Sequence, residues 1–132
     1  KGVSAELEQG TLFIALPSGR RLAYAEVALE DNEITYMGID QQSKKWTKVR
    51  TYGAKLVENI TQAIARDCLA EAMKRLDQAG YDICIHIHDE VVIDIEKDAM
   101  TEITEIMSQD IDWAPGLPLR GDTYSTKFYR KD

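Results

Sequence analysis

The chain has 132 residues and a net charge of −7, and no apolar run approaches the ~20 residues that a membrane-spanning helix needs. A bilayer-spanning helix and a uniformly basic nucleic-acid binder are therefore both excluded. An apolar share of 44% is ordinary for a globular protein, so a single domain with a real core is expected over 1–132.

Two cysteines, Cys68 and Cys84, fall in a helix-like and a strand-like stretch with no metal-type spacing. The expectation is a pair of buried free thiols in a reducing compartment. No signal peptide opens the chain, and Lys at position 1 suggests an excised fragment.

In chain order, Thr11 to Leu16 is strand-like and Pro17-Ser18-Gly19 supplies turn residues. Arg20 to Val27 reads as the return strand, Asp31-Asn32 as a turn, and Ile34 to Ile39 as another strand. Gln41 to Tyr52 is polar and basic with Trp46 and Tyr52 interleaved, and reads as a surface loop or a phosphate-gripping one. Gly53 to Ala79 is the clearest helix: Leu56, Ile60, Ala63, Ile64, Leu69, Ala72, Met73 and Leu76 recur at spacings near three and four, and Gly80 ends it. Lys55, Asn59, Gln62 and Arg66 share one face of that helix, either as a groove-reading row or as its wet side. Asp98 to about Ser108 is a second, shorter helix, and Leu119 to Tyr129 reads as a final extended segment, an edge strand.

Between the helices lies Ile83 to Ile95, two β-branched runs meeting at His88-Asp89-Glu90. A hairpin folded about His88 and Asp89 sets Ile87 opposite Glu90, Ile85 opposite Val92 and Ile83 opposite Asp94. Both faces are apolar, which predicts a ribbon sandwiched in a core with only its tip exposed. Two-residue hairpin turns need positive φ and favour glycine or asparagine, so His-Asp fits poorly. Local rules broken inside a consistent segment tend to mark function or strain. A polar trio on a rigid apolar ribbon suits a metal ligand; the plain reading is a solvated turn.

Charge is segregated. Gln41 to Val57 holds Lys44, Lys45, Lys48, Arg50 and Lys55 with no acid, whereas Asp82 to Asp112 holds ten acids against Lys97 alone. A basic stripe beside an acidic centre suits a protein that grips phosphates at one place and cations at another. The fold class expected is α+β: an antiparallel sheet with a central hairpin, and one long and one shorter helix packed on it.

These residues resemble family A DNA polymerases of the bacteriophage type. His88-Asp89-Glu90, flanked by Ile85-His86-Ile87 and Val91-Val92, is similar to that family's motif C. Tyr52 to Asp67 resembles the long palm helix that precedes it, and Leu16 to Arg20 and Trp113 to Pro118 are also similar, in the right order. The resemblance implies the C-terminal part of a polymerase palm, acting in the bacterial or phage-infected cytoplasm on primer-template DNA and dNTP. Asp89 is then a metal-binding carboxylate and Glu90 a nearby, less essential catalytic acid, in a centre where two Mg²⁺ ions ~3.5–4 Å apart stabilise the attacking and leaving oxygens. His88 sits at the primer terminus, Gln62 contacts the minor-groove side, and Lys55 and Arg66 contact the DNA backbone.

The family's earlier Asp-Tyr-Ser motif and the fingers helix that holds the nucleotide have no counterpart here. The chain alone is therefore expected to be inactive, and to self-associate through surface that the rest of the palm covers. Two other readings remain open. One is a small Zn²⁺- or Fe²⁺-binding domain using His86, His88 and Glu90. The other is a non-catalytic DNA-binding module using the basic stretch and the helix.

Overall fold

A computed structural model describes residues 2–129. The fold class is α+β, with every strand pairing antiparallel, and the chain divides into two compact units meeting at Ile64/Ala65. Neither helix is long and apolar enough to cross a membrane.

The first unit is a five-stranded meander of β1 (Ser4–Glu8), β2 (Thr11–Ala15), β3 (Arg21–Glu30), β4 (Glu33–Ile39) and β5 (Trp46–Thr51), joined in that order. Two of its turns have two residues in the left-handed region, Gln9-Gly10 at φ 47° and 78° and Asp31-Asn32 at 50° and 64°. Their twist matches that of the strands they join. The Pro17-Ser18-Gly19 turn is closed by the Gly19 amide donating to the Leu16 carbonyl (2.9 Å) and the Leu16 amide to that of Arg20 (2.8 Å). Ile14, Leu16 and Tyr24 are buried on this sheet.

Two strands here escape a reading of periodicity. β1 is exposed throughout and its sequence, Ser-Ala-Glu-Leu-Glu, has weak strand preference; pairing with β2 decides it. The stretch from Gln41 to Tyr52, expected as a loop, is instead a turn followed by β5, because β4 supplies a ladder from Ile34↔Thr51 to Ile39↔Trp46. Lys48 and Arg50, read as part of either a surface loop or a phosphate-gripping one, form ion pairs with Glu30 of β3 (2.6 Å) and Glu33 of β4 (2.7 Å).

The long helix α1 (Gly53–Gln78) gives its first half to this unit. Asn59 Nδ2 donates to the Tyr24 hydroxyl (3.1 Å) and Arg20 Nη2 to the Ala63 carbonyl (3.0 Å), tying that half to the sheet.

The second unit holds the rest of α1, the hairpin β6 (Asp82–Ile87) and β7 (Glu90–Asp94), and α2 (Met100–Met107). α1 ends as expected at Gly80, whose φ of 88° a residue with a Cβ adopts only at a cost. The Gly80 amide donates to the Asp77 carbonyl (2.9 Å) and the Tyr81 amide to that of Leu76 (3.1 Å), the paired bonds of a Schellman cap. α2 begins just after Asp98, whose Oδ1 accepts from the Met100 amide (3.0 Å).

The core of this unit is Leu76, Ile103 and Ile106, with Tyr81, Ile83, Val91, Ile93, Ala99 and Met107 packed on it. The hairpin therefore presents one face to the core. It is not sandwiched: Ile85 stays 43% exposed and Cys84 is exposed, correcting the expectation of a ribbon buried on both sides and of two buried thiols. Only Cys68 is partly buried, and burial first, then Asp67, pushes its thiol up from the ordinary value.

The hairpin also forms its own two-stranded sheet, separate from the meander. Ile87 pairs with Glu90 and Ile85 with Val92 as expected, but Ile83 pairs with Ile93 and not with Asp94. Cys84 is the extra residue of a β-bulge between those pairs, which moves the strand by one position and brings Ile83 and Ile93 together on the core. The segment from Leu119 to Tyr129 is not a strand; it is irregular and held to α2 by the Gly121 amide donating to Ser108 Oγ (3.0 Å) and by a Thr104–Thr123 hydroxyl contact (2.9 Å).

Candidate active site

The tip of the β6–β7 hairpin is a two-residue turn, His88-Asp89, closed by the Ile87–Glu90 pair. Of the two turn residues only His88 has positive φ, at 54°. Such turns ordinarily give that position to glycine, so the sequence places a side chain where the backbone disfavours one. His88 and Asp89 are both exposed, and the apolar ladder of Ile83, Ile93 and Val91 on the core holds the turn from below.

Glu90 differs from its neighbours. It is half-buried, and its Oε1 is enclosed with no hydrogen-bond partner. A buried carboxylate oxygen left without a donor is costly. The chain's last described residue, Tyr129, lies close to it. Burial first, and then the negative charge of Glu90, push the Tyr129 phenol above its ordinary value of 10.0. Nothing in the order of residues signals this approach, because an irregular segment fixed by Ser108 and Thr123 delivers it.

The chemistry of these oxygens suits a hard cation such as Mg²⁺, but two carboxylates are fewer than its near-octahedral shell requires. Among the described residues, no group of three or more His, Cys, Asp and Glu side chains is placed to hold a metal. This removes the geometry that a His86–His88–Glu90 centre needs. His86 is exposed on β6, but His88 lies beyond the strand in the left-handed turn, so strand alternation does not carry from one to the other.

The helix residues singled out for DNA contact are exposed, as a contact requires: Lys55, Gln62 and Arg66. Lys55 Nζ and Gln62 Nε2 both donate to Glu58, at 2.9 and 3.2 Å, an arrangement that the one-face spacing did not reveal. Glu58 lies three residues from Lys55 and four from Gln62, the spacing at which helical side chains meet. Asn59, the fourth member of that row, is instead turned to Tyr24.

The chain is similar to part of a phage DNA polymerase. It is 49% identical, over 139 aligned positions and 99% of its own length, to a protein of Bacillus phage SP02 named DNA polymerase. It spans only 21% of that protein. No family model matches the chain, and no solved structure matches it. Almost the whole chain aligns, so the alignment spans the tip, α1 and the meander.

Proposed function

We propose that this chain is the C-terminal part of the palm of a family A, phage-type DNA polymerase, forming a single functional piece over residues 1–132. The observation that carries the reading is the 49% identity to the phage polymerase along 99% of the chain. The strained polar turn and the enclosed, partnerless Glu90 oxygen support it from the side of chemistry.

In this reading Asp89 is a ligand of the catalytic metal and Glu90 a second, less essential acid beside it. Mg²⁺, when bound, supplies charge stabilisation to the transferring phosphoryl group. The residues of this chain do the positioning. The β6–β7 ladder fixes Asp89 at the end of a rigid ribbon, so its carboxylate needs little reorganisation to face the reacting phosphate. His88 stands against the primer terminus. Gln62 turns from Glu58 to the minor groove, while Lys55 and Arg66 neutralise backbone phosphates. The remaining metal ligand and the nucleotide-holding cations come from other parts of the full-length enzyme, and the chain alone does not polymerise. Exposed Ile85 on the hairpin and Ile95 just beyond it support self-association of the isolated chain. The working compartment is the cytoplasm of the infected cell.

The test is primer extension by the full-length protein. A primed template, the four dNTPs and Mg²⁺ should give products that follow the template sequence, and chelation of the metal should abolish them. The 132-residue chain should give none. Absence of any extension by the full-length protein would overturn the proposal.

A further inference from the structure

The end of the β4–β5 hairpin carries a surface that the catalytic reading leaves unused. Ile39 and Trp46 face each other in register and remain 65% and 62% exposed. The turn between them is well fixed. The Asp40 amide donates to the Lys45 carbonyl (2.9 Å), the Lys44 amide to the Asp40 carbonyl (2.9 Å), and the Ser43 amide to Asp40 Oδ1 (2.7 Å). The acid of this turn is thus engaged inwardly.

The cations are not. Among the described residues neither Lys44 nor Lys45 forms an ion pair, whereas Lys48 and Arg50 further along the strand are taken by Glu30 and Glu33. Lys44 is held at φ 57°, so the turn's shape presents it in a conformation a flexible loop would seldom populate. A flat aromatic ring, an apolar neighbour and two uncommitted ammonium groups therefore share one rigid tip.

We propose that this tip is a contact site for single-stranded nucleic acid, with Trp46 stacking on an unpaired base and Lys44 and Lys45 meeting the flanking phosphates. Stacking on an exposed ring tolerates any base and requires that the base be free of a duplex stack. Each phosphate neutralised releases counterions, which couples binding to salt. The choice of a nucleic acid over an acidic peptide rests on the polymerase reading; the exposed indole beside the cations gives it independent support.

The test is fluorescence anisotropy of a labelled oligodeoxythymidylate with the 132-residue chain. Wild type should bind at low salt. Trp46→Ala should weaken binding by about 5- to 100-fold, while Trp46→Phe retains most of it. Lys44→Gln with Lys45→Gln should flatten the slope of log affinity against log salt by about 1.4, two phosphates' worth on a single strand. These side chains are exposed, and circular dichroism of each variant separates lost binding from lost fold. The proposal is overturned if wild type does not bind, if Trp46→Ala binds like wild type, or if poly-glutamate competes as well as the single strand. Should it fail while primer extension still depends on Asp89, the polymerase reading stands without it; should extension not depend on Asp89, that reading fails whatever the hairpin does.

Discussion

Replacing Asp89 with asparagine in the full-length enzyme is expected to lower the rate of primer extension by about a thousandfold while leaving primer-template affinity unchanged. Asparagine keeps the size and shape of the side chain and removes its charge. Asp89 is exposed at the tip of the turn, and asparagine tolerates turn conformations at least as well as aspartate, so the ribbon beneath is undisturbed. What is lost is a negative charge held where the phosphoryl group reacts. Single-turnover extension, with binding measured separately, reads that loss as chemistry. Glu90→Gln should cost less, since Glu90 stands beside the ligand and exchanging one oxygen for an amide leaves the other as an acceptor. A normal rate for Asp89→Asn would make the tip a solvated turn.

Leu76→Ala is expected to destabilise the chain by about 2–5 kcal/mol, the largest single effect on its fold. Leu76 is 0% exposed and is the centre of the cluster with Ile103 and Ile106, on which Ile83, Val91 and Ile93 of the hairpin rest. It also accepts the Tyr81 amide in the cap of α1, so its backbone position is fixed and the cavity cannot collapse easily. Urea denaturation followed by far-ultraviolet dichroism measures the change. Ile85→Ala, on the uncovered face of the same hairpin, should cost far less. Equal losses at the two positions would mean that the hairpin's core face is not the one described.

The contrast between those two residues shows what the sequence can and cannot say. α1 was legible because apolar residues at helical spacing and a terminal glycine point to the same element, and Gly53–Gln78 matches the expected Gly53–Ala79 closely. The tip was legible because it breaks a rule: no ordinary turn asks for His-Asp. The register beyond it was not. Ile83 and Asp94 would be opposite each other on an ideal ladder, and only the bulge at Cys84 reassigns Ile83 to Ile93. No residue at that point announces a bulge; the packing of both isoleucines on Leu76 favours it.

β5 was missed for a related reason. Its alternation sets basic residues against Val49 and Thr51, so no continuous apolar face stands out, and its existence depends on the neighbouring strand. The opposite error falls at Leu119 to Tyr129, where residues of good strand preference find no ladder and bond to α2 through Gly121 and Thr123. The approach of Tyr129 to Glu90 was invisible for the same reason, since irregular chain carries no period.

Asp89 as a metal ligand is tested most directly by replacing Mg²⁺ with Fe²⁺ in the full-length enzyme bound to primer-template and generating hydroxyl radicals with ascorbate and peroxide. Radicals cut the backbone within a short distance of the ion, and mass spectrometry locates the cuts. Cleavage beside His88, Asp89 and Glu90, lost in Asp89→Asn and suppressed by excess Mg²⁺, is the predicted result. A cut pattern that leaves the hairpin tip untouched, or that is the same in Asp89→Asn, would contradict it.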